Sequence, residues 1–133
     1  MRLMRGRRPP RADPEVNTVG KHVLVVLSNA TEGGDDEFNE WYTNRHLGDV
    51  LKLRGYKAAQ RFRLSDAQLG TAELPYRYLA IYEVEAEDVS DAAAALTSGI
   101  GGAEAMYISP TLDMGRTSAW FYTPITDRVT ATG

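Results

Sequence analysis

The chain alternates between apolar stretches that read as strands and amphipathic stretches that read as helices. Residues 21–29, KHVLVVLSN, form a near-continuous valine-rich run, the pattern of a strand buried on both faces. A polar, glycine-containing turn follows over 31–36, where Asp35 or Asp36 can cap a helix whose first turn suits Glu37. In that helix, about 36–46, Phe38, Tyr42 and His46 repeat at i, i+4 and i+8 and share one stripe, flanked by Trp41 and Arg45. Gly48 weakens the helix, and Asp49 can cap a further short turn over 50–53 that ends at Arg54-Gly55.

A second strand spans 56–64. Its strict alternation places Tyr56, Ala58, Gln60, Phe62 and Leu64 on one face, and Lys57, Ala59, Arg61 and Arg63 on the other. After a loop over 65–75, a third strand covers 76–85 with Tyr78, Ala80, Tyr82 and Val84 on one side. An alanine-rich helix begins at Asp88 or Ser90, runs through Leu96 and is stopped by Gly99, Gly101 and Gly102. Residues 103–117 read as an irregular lid, and 118–123 as a fourth strand ended by Pro124.

The order is β-α-β-β-α-β. It predicts an α+β, ferredoxin-like fold: a four-stranded antiparallel sheet with both helices on one face. The strands carry apolar residues on both sides, so the open face calls for a cover, and a second copy of the sheet is the simplest one. At 133 residues one domain is expected, over 21–125. It is preceded by a disordered basic tail over 1–20 and followed by a flexible C-terminal tail over 126–133.

Charge and composition narrow the function. Five arginines fall within the first eleven residues; beyond residue 20 there are 10 basic against 16 acidic residues, a poor match for nucleic acid. Arg7-Arg8 is not followed by an apolar region, so an export signal is not expected, and no run approaches a membrane span. A cytoplasmic location is expected. The absence of cysteine excludes a thiol nucleophile, disulfides and thiolate-held metals, and two histidines without a carboxylate cluster give no metal site. No phosphate loop, nucleophile elbow or dinucleotide fingerprint is present.

His46 is the first candidate for chemistry, because imidazole normally titrates near neutrality. It could serve as general base or acid, with Asp49 fixing its tautomer; equally, it could be a histidine at a helix C-terminus and Asp49 a cap. Tyr42, Trp41 and Phe38 offer ring surface to a flat ligand or to a core. Asn29, at the end of the first strand, could orient a substrate carbonyl or start a turn. Arg61 and Arg63 could hold a carboxylate or phenolate, or serve as edge or inter-subunit charges. Tyr82 could line the pocket or a dimer seam.

Ser28-Asn29, the Gly-Asp-Asp-Glu turn, Trp41-Tyr42, His46-Leu47, Asp49-Val50-Leu51 before Gly55, Gln60-Arg61-Phe62, and late Leu112-Asp113 with Trp120 resemble the dimeric α/β-barrel superfamily. Within it they are similar to EthD-like and polyketide-associated proteins. The resemblance covers about residues 22–125. It departs where proline is expected after His-Leu and Gly48 stands instead, so a helix break at that point is in question. It implies a homodimer with a pocket between helices and sheet for a small apolar or aromatic ligand. It further implies a cofactor-free cyclase, isomerase or lyase acting on an aromatic, polyketide-like or lactone substrate, with His46, Tyr42 and Asp49 catalytic and Asn29, Trp41, Phe38, Arg61 and Tyr82 binding. The superfamily also holds cofactor-independent monooxygenases and haem-handling proteins, and a non-catalytic binding protein is a further alternative.

Overall fold

The computed structural model describes residues 20–70, 73 and 75–132. The expectation of a disordered basic tail over 1–20 falls almost entirely outside them. The elements are β1 (Lys21–Ser28), α1 (Asp35–Trp41), a π-helical turn (Tyr42–His46), α2 (Leu47–Leu51), β2 (Tyr56–Arg63), β3 (Tyr78–Glu85), α3 (Val89–Gly101), a 3₁₀ turn (Met114–Arg116) and β4 (Ser118–Tyr122). The strands form one antiparallel sheet in the order β2-β3-β1-β4. This is the ferredoxin-like α+β fold read from the sequence pattern.

β1 is central, paired with β3 on one side and β4 on the other. That position explains its unbroken apolar character. Leu24 faces the helices and is buried, as are its partner across the register, Tyr82, and Ala80, which pairs with Val26. Val23, Val25 and Leu27 alternate onto the opposite face and are only half-buried; among the described residues no helix or strand covers them. The main core joins Leu24, Ala80, Tyr82 and Val84 of the sheet to Phe38, Trp41, Tyr42 and Val50 above.

β2 departs from the expected alternation. Tyr56 pairs with Val84 and Ala58 with Glu83, so Lys57 is an extra residue in the ladder. Such a bulge moves everything beyond it to the other face. Tyr56 therefore shares the helix-side face with Ala59, Arg61 and Arg63, which stand opposite Tyr82, Ala80 and Tyr78. Gly55 leads into this strand with φ +94°, and a Cβ there would lie 2.8 Å from the Glu85 carbonyl oxygen, so glycine is required on both counts.

The helical segment between β1 and β2 differs too. It begins after Gly34, with no side-chain cap; Asp35, Asp36 and Glu37 all sit in its first turn. Helical structure then continues through Gly48 without a break, and Asp49 lies within α2 instead of capping a new turn. A lone glycine costs a helix only about 1 kcal/mol, which burial of Val50 offsets. α3 is capped by Asp88, whose carboxylate accepts from the Ser90 amide, and it runs past Gly99 to Gly101. A Cβ at Gly99 would come within 2.9 Å of Leu53, so this glycine admits a close neighbour where a stop was expected. The described residues beyond β4, 123–132, have no regular secondary structure.

Candidate functional site

A cavity of about 140 Å³ lies between the helical layer and the sheet. Its floor is Leu24 and Val26 of β1 with Tyr82 of β3. Tyr42, His46 and Val50 close one side, and α3 contributes Leu96 and Ile100 on another. Ile108, Leu112 and Met114, from the segment read as a lid, complete it. An apolar cavity of this size accepts one benzene-sized ring. Met114 and Ile100 are themselves exposed, so the cavity reaches solvent at that rim.

The π-helical turn sets the geometry. The Leu47 amide donates to the Tyr42 carbonyl, five residues back, which marks a widened turn. In a regular α-helix residues five apart diverge by about 140° and cannot stack. Here the His46 ring stacks on Trp41, with centroids 4.5 Å apart and planes 26° apart, and meets Tyr42 edge-on at 4.7 Å. Phe38, fully buried, packs against both Trp41 and Tyr42 and holds the group from behind.

His46 is 7 % exposed, and its Nδ1 has no hydrogen-bond partner among the described residues. Burial lowers its pKa to about 4; the Asp49 charge opposes this and the Arg61 charge adds to it. The ring is therefore neutral at pH 7, and its titration is displaced from the near-neutral range expected of a free imidazole. Tyr82 donates its hydroxyl to the Tyr42 oxygen at 3.2 Å, which leaves the Tyr42 proton free for another acceptor. Burial raises both phenols, so both stay protonated.

The structure brings together His46, Tyr42 and Tyr82 at the cavity, with Trp41 and Phe38 behind them. It places the other expected residues elsewhere. Asp49 makes no hydrogen bond to His46; it is flanked by Arg45 and Lys52, each at 3.6 Å. Asn29 is fully engaged: its Nδ2 donates to the Pro75 carbonyl at 2.5 Å and its Oδ1 accepts from the Arg77 amide at 3.0 Å. It ties down the β2–β3 loop and does not line the cavity. Arg61 lies on the far side of Tyr42, with its guanidinium 4.5 Å from that ring's centroid. The lid residues Ile108, Leu112 and Met114 are cavity residues that sequence reasoning did not name, since an irregular segment has no periodicity to reveal which side chains point inward.

Neither a protein-family model nor a curated protein sequence matches the chain. Solved structures do. A putative monooxygenase from Shewanella loihica PV-4 is 17% identical, with a TM-score of 0.50 over 85% of this chain and 97% of that one. The haem-degrader MhuD from Mycobacterium tuberculosis, with two haems bound in its active site, is 16% identical, with a TM-score of 0.55 over 81% and 99%. HapK from Hahella chejuensis is 16% identical, with a TM-score of 0.50 over 84% and 99%. At these identities the likeness establishes the ferredoxin-like fold alone. A porphyrin, a macrocycle of four pyrrole rings, exceeds the one-ring cavity beneath His46, so these residues as placed do not fit haem.

Proposed function

We propose that each subunit binds a small, largely apolar ring compound beneath His46, and that His46 moves a proton on it without a cofactor. The observation that carries this is a buried, neutral imidazole that lines an apolar cavity and whose Nδ1 has no hydrogen-bond partner, beside a phenol whose proton is free. Buried polar atoms are nearly always satisfied, so an unused one at a cavity is where a ligand's polar atom belongs. His46 would take a proton from a carbon next to a carbonyl. The C–H electron pair would form the enolate double bond as the carbonyl pair moves onto oxygen, where the Tyr42 hydroxyl donates to it. Return of the proton at the far carbon of a conjugated enolate completes an isomerisation; departure of a β-leaving group, which takes up the proton, completes an elimination; attack of the enolate carbon on a second carbonyl, whose oxygen takes the proton, completes a cyclisation.

An imidazole whose conjugate acid has a pKa near 4 is a weak base, but the ligand changes that balance. A developing enolate beside the ring favours the charged form and draws the imidazole's basicity upward. A phenolic, lactone or polyketide-like ligand provides such an anion; a saturated hydrocarbon does not.

The assembly we infer is a homodimer built on the open sheet face, opposite the cavity. Along that face Val23, Val25, Leu27, Ile81, Trp120 and Tyr122 lie in register. Trp120 is 60 % exposed and Tyr122 58 %.

The test begins with a binding screen over phenolic acids, lactones and polyketide mimics, followed by turnover of the hits. His46→Ala and His46→Gln are both expected to lose ~10²–10⁴ in rate with the fold retained. Tyr42→Phe is expected to be milder. Oxygen consumption during turnover would assign the monooxygenase alternative, and binding without turnover would assign a carrier.

A further inference from the structure

On the outer side of Tyr42, away from the cavity, a second cleft of about 350 Å³ is bounded by Asn39, Thr43, Arg61, Phe62, Arg63 and Tyr78. We infer that this cleft is an oxyanion-binding site, built to take the carboxylate of a small ring-bearing acid in the fork of Arg61.

The first observation is a cation without a counter-ion. Arg61 is partly buried, and no carboxylate pairs with it among the described residues. Its charge is instead spread over aromatic faces, at 4.5 Å from the Tyr42 centroid, 5.4 Å from Phe38 and 5.5 Å from Tyr78. Aromatic faces stabilise a guanidinium without neutralising it. The positive charge is thus retained and directed at the cleft.

The second observation is that the guanidinium is held still. One terminal nitrogen donates to Thr43 Oγ1 at 2.9 Å and the other to Asn39 Oδ1 at 2.9 Å. Guanidinium carries five N–H donors, so several remain. Thr43 accepts from Arg61, which leaves its own hydroxyl proton available to an anion. A fixed fork is what bidentate recognition of a carboxylate requires, and little entropy is then lost on binding.

The third observation is the bulge at Lys57. It turns Arg61 and Arg63 together onto the helix side, so the exposed Arg63 lines the same cleft. The carboxylate closest in the hydrogen-bond network, Asp35, is already taken by Arg77 and by the Tyr78 hydroxyl at 2.6 Å. Tyr78 offers the cleft ring surface, which favours an acid carried on a ring over a bare inorganic anion.

The site is coupled to the cavity. The Arg61 charge lowers the basicity of His46, so an anion seated on Arg61 would screen that charge and raise it. This coupling rests on the proposed role of His46; the binding site itself does not.

The experiment is a titration of the full chain with benzoate, acetate and inorganic phosphate at constant ionic strength, followed by NMR of backbone amides and of the His46 ring. Saturable shifts of Thr43, Arg61 and Arg63 are expected, with benzoate tighter than acetate. Arg61→Gln is expected to weaken benzoate at least ~10-fold, and Arg63→Gln or Thr43→Val several-fold. The latter two are exposed substitutions that keep the test valid if Arg61→Gln does not fold. Absence of saturation, or binding indifferent to all three variants, would overturn the site. Binding lost in a cavity-filling Ala119→Leu variant but kept in the arginine variants would place the anion in the cavity and overturn it as well. An inter-subunit ion pair would appear as weaker dimerisation of Arg61→Gln with no anion binding, again against the site. If benzoate binds here while the His46 variants keep turnover, the site stands and the proton-transfer reading falls.

Discussion

Burial of His46 makes a pH dependence that its residue type alone does not. In the unfolded chain an imidazole takes up its proton as pH falls through about 6.5; the folded state holds it off until about 4. Between those values the unfolded state binds more protons, so stability is complete above about 6.5 and is lost as pH falls, levelling off below about 4. The full effect is about 3 kcal/mol. Urea midpoints measured from pH 7 to 4 should fall more steeply for the wild type than for His46→Gln, which has nothing to titrate there. Equal slopes would mean that the imidazole is solvated in the folded protein. His46 and Tyr42 were legible in the sequence because they recur on one helical stripe. The true partners of Asn29 were not, because they are backbone groups 46 and 48 residues away, and such contacts leave no local pattern. Asp49 was misread for a related reason: spacing brings it near His46, but two adjacent cations compete for it.

Two irregularities place the candidate side chains, and both were invisible to period counting. The wide turn at residues 42–46 inserts one residue into an otherwise α-helical run, and that insertion stacks His46 on Trp41 while Tyr42 stays beside it. Such bulges interrupt the regular hydrogen-bond ladder and tend to persist where function depends on them. Deleting the exposed Asn44 should let the segment close into a continuous α-helix. His46 would then stand four residues from Trp41 and three from Tyr42. The variant is expected to keep or gain thermal stability, yet to lose at least ~10-fold in affinity for any cavity ligand found for the wild type. A sharp fall in melting temperature would show that the turn serves packing. The bulge at Lys57 acts likewise on β2. Without it Arg61 would lie on the face opposite Tyr56, as strict alternation had implied. The element types and their order were readable because hydrophobic periodicity survives one inserted residue; the facing of side chains was not, because one insertion inverts it.

For the molecule as a whole, the two faces of the sheet have separate tasks. The helix side holds the core and the cavity, with Leu24, Tyr82 and Val84 buried against the helical layer. The other side carries a half-covered aliphatic strip from β1 and β3 edged by Trp120 and Tyr122 of β4. A contiguous apolar patch of this kind is expected at an interface, and in the proposed homodimer a two-fold pairing of the face with itself would cover it. The expected interface exceeds ~1,000 Å² in total. Sedimentation at micromolar concentration should therefore give twice the chain mass. Ile81→Lys and Trp120→Lys each put a charge into the centre or rim of that face without touching the helix-side core. Ile81→Lys should split the dimer, because an ammonium there would be buried without a partner. Trp120→Lys, nearer the sheet edge, should weaken it less. Both should keep a native-like far-ultraviolet spectrum and a cooperative, lower melting transition. If the wild type sediments as a stable monomer, the exposed strip has another occupant and the paired-sheet assembly is wrong. If the variants remain dimeric, the two copies meet elsewhere, and the cavity, lying on the opposite face, becomes the next surface to probe.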